Sequence, residues 1–168
     1  MLHQIDIYGK DKVDTAIDIM RFFEPKDGSG YFLAFSGGKD SVCLKAIADM
    51  AGVKYEAHYH VTSVDPPELV RFIKKYHPDV IFDHPLDENG KPITMWSLIR
   101  QEKYPPTRLA RYCCEVLKEG GGEGRTVATG VRWAESTNRK ANQGVVTIPK
   151  KSAENNRSFI RTTRGGWY

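Results

Sequence analysis

The sequence predicts an α/β fold, a Rossmann-like parallel sheet with helices on both faces. Three observations predict it. Short apolar or alternating stretches recur along the chain, separated by segments of helical periodicity. A glycine turn, Ser36-Gly37-Gly38-Lys39-Asp40-Ser41, joins the first such stretch to a helical segment. Strand-then-helix alternation builds a parallel sheet with right-handed crossovers, whose ligands sit at the carboxyl ends of the strands.

Residues 11–24 form the first expected helix, amphipathic through Val13, Ile17, Met20, Phe22 and Phe23, and Asp27-Gly28-Ser29-Gly30 breaks it. Tyr31 to Phe35 reads as a buried strand. The helix from Ser41 to Met50 places residues 42, 43, 46, 47 and 50 on one apolar face. Lys54 to Thr62 alternates as a second strand. Pro66-Pro67 opens a helix through Tyr76, because proline suits a first helical turn. Val80-Ile81-Phe82 is a third strand, closed by Asp83-His84-Pro85. Ile93 to Lys103 and Thr107 to Glu119 read as helices, the second stopped by Gly120-Gly121-Gly122. Thr126 to Val131 is a fourth strand, with Val145 to Ile148 and Ser158 to Arg161 as further candidates. The segments after Phe35, Val61, Phe82 and Val131 are expected to converge on one crevice.

At 168 residues the chain supports a single domain, 1–168, with a sizeable core and no internal repeat or boundary. No apolar run approaches membrane-spanning length, and Met1 to Lys12 lacks the core of a signal peptide, so a cytoplasmic address is expected. Three cysteines, two of them adjacent, make no disulfide framework. The net charge of +4 is uneven: residues 1–124 hold 16 Lys and Arg against 19 Asp and Glu, whereas 125–168 hold 9 against 2. A basic end, including a basic C-terminal segment from about residue 141, suits either nucleic acid or a polyanionic small molecule.

In the glycine turn, Gly37 and Gly38 allow backbone conformations closed to other residues. The first helical amides then face an anion. Lys39 adds positive charge, and the Ser36 and Ser41 hydroxyls can cap the helix or bond phosphate. The turn is not a Walker A loop, since Asp40 follows Lys39. All six positions resemble the PP-motif of the adenine nucleotide α-hydrolase-like superfamily, which includes ATP pyrophosphatases, ATP sulfurylase small subunits and phosphoadenosine phosphosulfate (PAPS) reductases.

Two further stretches extend the resemblance to about residues 30–140. The strand end His60-Val61-Thr62-Ser63-Val64-Asp65 lies where the superfamily holds adenosine. Thr62 and Asp65 are candidates for ribose or adenine, with helix capping by Asp65 as the alternative. His58 and His60 share a strand face, but no third ligand accompanies them, and no metal is expected. Gly130-Val131-Arg132-Trp133-Ala134-Glu135-Ser136-Thr137-Asn138-Arg139 resembles the Gly-x-Arg-x-x-Glu-Ser-x-x-Arg motif of PAPS reductase-like proteins. Gly130 permits close approach to a ligand. Arg132 and Arg139 can clamp a phosphate or sulfate, oriented by Glu135.

The stretch Thr107 to Lys118 is similar to the cysteine–lysine region of the same family. On one continuous helix, Arg108, Arg111 and Cys114 or Glu115 share a face with Lys118 one turn on, as support for an anion site. Adjacent cysteines cannot share a helix face, so one is expected buried and the other toward the crevice. In the family's iron–sulfur branch, which uses adenosine phosphosulfate (APS), a Cys-Cys pair and a later Cys-x-x-Cys hold a [4Fe–4S] cluster. No cysteine follows Cys114, so a complete cluster from this chain alone is not expected.

The resemblance implies an adenine nucleotide (PAPS, APS or ATP) as ligand, reduced to sulfite in the reductase reading. The reductases' Glu-Cys-Gly-Leu-His tail has no counterpart, since the sequence closes on Arg164-Gly165-Gly166-Trp167-Tyr168. A minimal, divergent or truncated member is therefore expected. Cys113 and Cys114 are then the candidate catalytic thiols, with Arg111 and Lys118 to lower a thiol pKa and a thiol donor such as thioredoxin as partner. The alternative is an ATP pyrophosphatase-type adenylating enzyme, in which Lys39 stabilises the leaving pyrophosphate and Asp40 helps hold Mg²⁺. A non-catalytic module contacting nucleic acid through its basic end is the third reading, and homo-oligomerisation is left open.

Overall fold

The computed structural model describes residues 9, 11–118, 121–122 and 124–131, with the backbone of 146–147 and 159–161. In chain order the elements are α1 (Lys12–Phe22), β1 (Tyr31–Ala34), α2 (Lys39–Ala51), β2 (Tyr55–His60), α3 (Pro67–Tyr76), β3 (Ile81–Asp83), α4 (Met95–Glu102), α5 (Tyr112–Lys118), β4 (Val127–Thr129), β5 (Val146–Thr147) and β6 (Phe159–Arg161).

The sheet order is β3-β2-β1-β4-β6-β5. β1 pairs parallel with β2 on one side and β4 on the other, and β2 pairs parallel with β3. These four parallel strands and the helices between them make an α/β Rossmann-like fold. β6 adds parallel to β4, while β5 lies antiparallel on the edge. From β1 the chain moves through β2 to β3, then returns to the far side of β1 for β4. Strand order thus reverses between β1 and β4, and α/β sheets bind ligands at the carboxyl ends beside such a reversal.

Alternation along the strands sorts the two faces. Tyr31, Leu33, Phe35, Ala57, Tyr59 and Ala128 turn to one side and pack against Ala16 and Met20 of α1, Leu44, Ile47 and Ala48 of α2, and Ile73 of α3. Each large side chain buried there contributes about 1.5–3 kcal/mol. The Tyr31 hydroxyl, deep in this core, donates to Met20 O at 2.7 Å. The opposite face carries Phe32, His58, His60 and Val127, with Gly121 and Gly122 laid against them. A Cβ on Gly121 would stand 2.5 Å from His60 Nε2, and one on Gly122 2.8 Å from Val127 Cγ2.

Local chemistry fixes the helix ends. Asp11 caps α1 by accepting from the Asp14 amide at 2.8 Å. Pro66 and Pro67 start α3 as expected. Thr94 and Ser97 form a reciprocal capping box, so α4 begins at Met95 rather than Ile93. Gly52, in the left-handed region at φ 68°, ends α2. Among the described residues, no helix is long and apolar enough to cross a membrane.

Two expectations are corrected. The buried face of α2 is Ser41, Leu44, Ile47, Ala48 and Ala51, and Cys43, Ala46 and Met50 are exposed. Leu44, Ile47, Ala48 and Ala51 pack into the core with the sheet and α1, which leaves those three outside. The helix expected from Thr107 begins only at Tyr112. Ahead of it, Thr107 Oγ1 accepts from the Ala110 amide at 3.0 Å, and the Thr107 amide donates to Ala110 O at 3.1 Å. The turn satisfies donors a helix would otherwise use, and Leu109 is left 100% exposed.

Leu33→Ala removes a fully buried side chain from the central strand. It is expected to cost about 2–5 kcal/mol in urea denaturation, whereas Leu109→Gln should stay within about 0.5 kcal/mol.

Candidate functional site

The glycine turn lies at the carboxyl end of β1. The buried Phe35 amide donates to His58 O at 2.9 Å and extends the strand one residue, after which Ser36 leaves the sheet. Ser41 Oγ, 5% exposed, braces the turn: it accepts from the Ser36 amide at 3.1 Å and donates to Gly38 O at 2.9 Å. Ser36 Oγ lies 3.2 Å from Ser41 Oγ. The Ser41 hydroxyl is therefore committed to loop shape rather than to an anion.

The two glycines differ in kind. Gly37 has φ 71°, and a Cβ there would meet Leu69 Cδ1 at 2.6 Å. Gly38 has φ −77° and ψ 160°, extended backbone open to any residue, which corrects the expectation that both need special freedom. Without a side chain at this N-cap, the first amides of α2 face outward from the helix end. Lys39 is exposed beside them, and Asp40 is half-buried.

The fourth strand reaches the same helix end. A Cβ on Gly130 would stand 2.7 Å from Asp40 O and 3.4 Å from the Ser41 nitrogen, so strand end and helix start meet backbone to backbone. Arg132, Glu135 and Arg139 lie outside the described residues.

A cavity of about 150 Å³ joins the turn to the end of β2, and its polar lining comprises Ser36, His58, His60, Thr62, Asp65 and Lys118. Asp65 does not cap α3, which starts from Pro66 with no side-chain cap. Instead its Oδ2 accepts from Tyr59 Oη at 2.7 Å and Thr62 Oγ1 at 2.5 Å. Burial, reinforced by Asp65, holds the Tyr59 phenol well above its usual pKa, so it remains a donor. Thr62 is 2% exposed and acts as a buttress for Asp65. Asp65 lines the cavity, and a carboxylate that accepts two bonds on one oxygen retains acceptor capacity on the other.

The two histidines enter this cavity as a surprise of register. β2 pairs with β3 so that His60 lies opposite Asp83, while the Nδ1 of His58 is 2.8 Å from the Asp83 carboxylate. Phe32 stacks on the His58 ring at 4.1 Å. Burial lowers the His60 pKa, with Asp83 opposing and His58 assisting. The His-x-His spacing was the only signal in the sequence, and it did not disclose Asp83.

Lys118 is the one member of the expected cationic support that lines this cavity. Arg108 falls in the turn before α5, off the helix, so the shared face with Arg111 is not formed. Arg111 and Glu115 instead border a separate depression of about 330 Å³ with Tyr104, Leu109, Ala110 and Tyr112. Cys113 and Cys114 line neither. Both are half-buried, their sulfurs 4.0 Å apart, rather than one buried and one facing the crevice. Burial and then Cys114 raise the Cys113 pKa, the reverse of the expected activation. Among the described residues, no group of three or more His, Cys, Asp or Glu side chains is placed to hold a metal ion.

No protein-family model matches the chain, and no curated protein matches it.

Gly130→Ala, which drives a Cβ onto the Asp40 backbone, is expected to cost about 1–3 kcal/mol in urea unfolding. Gly38→Ala should change stability by less than about 1 kcal/mol. For His60, a depressed native pKa means the unfolded chain takes up the proton first as pH falls. Its contribution to stability is complete above about pH 6.5 and declines below it. The wild-type chain should therefore lose more stability than His60→Gln between about pH 7.5 and about pH 5.5. Equal losses would remove this assignment.

Proposed function

We propose that this chain binds an adenine nucleotide at the carboxyl ends of β1 and β2, as a PAPS reductase-like member of the PP-loop superfamily. The observation that carries the reading is the cavity joining Ser36 of the glycine turn to Asp65 at the end of β2. Next to Ser36 lies the start of α2, which has no side-chain cap, with Lys39 for an anion, and the β2 end offers a braced carboxylate for a ribose hydroxyl. The phosphate–sulfate or pyrophosphate end would lie on Gly37, Gly38 and Lys39, completed by Arg132 and Arg139 from the third motif.

In the reductase reading, a thiolate attacks the sulfonate sulfur and expels the adenosine phosphate. A second thiol then attacks the resulting S-sulfocysteine, releases sulfite and forms a disulfide. Cys113 and Cys114 are this chain's candidates, and thioredoxin-like dithiols are candidate donors. The position of these thiols outside the cavity lining favours a second reading, ATP cleavage by adenylation. There Lys39 and the α2 amides stabilise the leaving pyrophosphate, Asp40 helps hold Mg²⁺, and no thiol is required.

The test is incubation with PAPS, APS or ATP in the presence of Mg²⁺ and a dithiol, followed by separation of the nucleotides. Adenosine bisphosphate or AMP with sulfite identifies the reductase; AMP with pyrophosphate identifies the adenylating enzyme. Lys39→Ala and Arg132→Ala should each weaken nucleotide binding about 10- to 100-fold without changing thermal unfolding. Unchanged affinity in both would overturn the proposal.

A further inference from the structure

Cys113 and Cys114 occupy the first turn of α5, and Lys118 closes its last. Successive residues on a helix diverge by about 100°, yet these two sulfurs are turned toward each other at 4.0 Å. Arg111 Nη2 lies 3.7 Å from Cys114 Sγ and places positive charge beside that sulfur. The helix that carries them is only seven residues long, and Leu117 is its one fully buried side chain. Helices so short persist through tertiary packing rather than by themselves.

We propose that Cys113 and Cys114 form a dithiol site that disulfide oxidants close to a bond between neighbouring residues, and that closure opens the first turn of α5 and withdraws Lys118 from the cavity. Glutathione disulfide represents the oxidant class. Cys114, as thiolate, attacks one oxidant sulfur and releases one glutathione thiolate, leaving a mixed disulfide. Cys113 loses its proton to solvent and attacks Cys114 Sγ, forming the Sγ–Sγ bond and releasing the second glutathione. The protein gives up two electrons and two protons, and the oxidant becomes two thiols.

The bond requires a separation of about 2.05 Å, and disulfides span Cα atoms usually about 4.4–6.8 Å apart. Adjacent Cα atoms are only about 3.8 Å apart, so the ring closes by distorting its backbone. A helical first turn cannot absorb that distortion. With so short a helix, the change reaches Lys118, one turn and a half away. The consequence for nucleotide binding rests on the function proposed above; the bond and the opening of α5 do not.

The experiment uses the full chain carrying Cys43→Ser, which removes the exposed third thiol on α2. It is equilibrated in glutathione redox buffers and followed by peptide mass mapping and amide hydrogen exchange. The expected result is loss of two hydrogens within the peptide holding Cys113 and Cys114, with α5 amides exchanging about tenfold faster. Adding Cys113→Ser or Cys114→Ser should abolish both changes. Persistent glutathione adducts without the internal bond would overturn the proposal, as would the bond with unchanged α5 exchange. For ATP or APS, oxidation should weaken binding about tenfold, and unchanged affinity would overturn the link through Lys118. Should neither redox form bind nucleotide, the nucleotide reading fails, while bond mapping and α5 exchange still decide the dithiol site.

Discussion

The parallel pairing of β1 with β2 on one side and β4 on the other sets the positions of everything at the candidate site. A strand in that position must have its loop and the loop of β4 diverge at the carboxyl edge, because the chain leaves β1 toward β2 and comes back past it. Gly130, whose missing side chain lets the end of β4 meet the first turn of α2, holds the two together at this edge. The same helix is anchored from beneath by Leu44, Ile47 and Ala48 in the core. Backbone donors at the helix start are thus held by packing on one side and by a glycine contact on the other.

The two faces of the sheet do different work. One is a continuous apolar layer under α1, α2 and α3. The other bears a polar row in which Asp83 holds His58, Arg125 pairs with Glu56, and Phe32 is stacked between. The Glu56 carboxyl is held below its usual pKa first by its bond to Arg125 and by the same charge acting through space. Two residues further along β2, this row runs into the cavity at His60. The polar face therefore supplies His58 and His60 to the site, and the apolar face supplies Phe35 and Tyr59 with the core that holds them.

The cysteine segment illustrates how a local contest redirects chemistry. A continuous helix from Thr107 would have aligned Arg108, Arg111 and Lys118 along one flank. The Thr107 hydroxyl takes the Ala110 amide, the helix starts later, and only Lys118 reaches the cavity. The shortened helix leaves two thiols facing one another beside Arg111, at the far end of the same element.

The sequence by itself determined the α/β class, the strand–turn–helix around Ser36 to Ser41, the alternation of β2 and the proline start of α3. Each is a short-range pattern set by side-chain period or by the steric demands of glycine and proline. The two strand candidates near the C-terminus were also legible, although the antiparallel sense of β5 was not. What only the tertiary structure decided are relations between distant segments: which face of α2 is buried, Asp83 beside His58, and Gly130 against Asp40. Those depend on strand order and register, which bring residues tens of positions apart within hydrogen-bond distance. No local period encodes such distances.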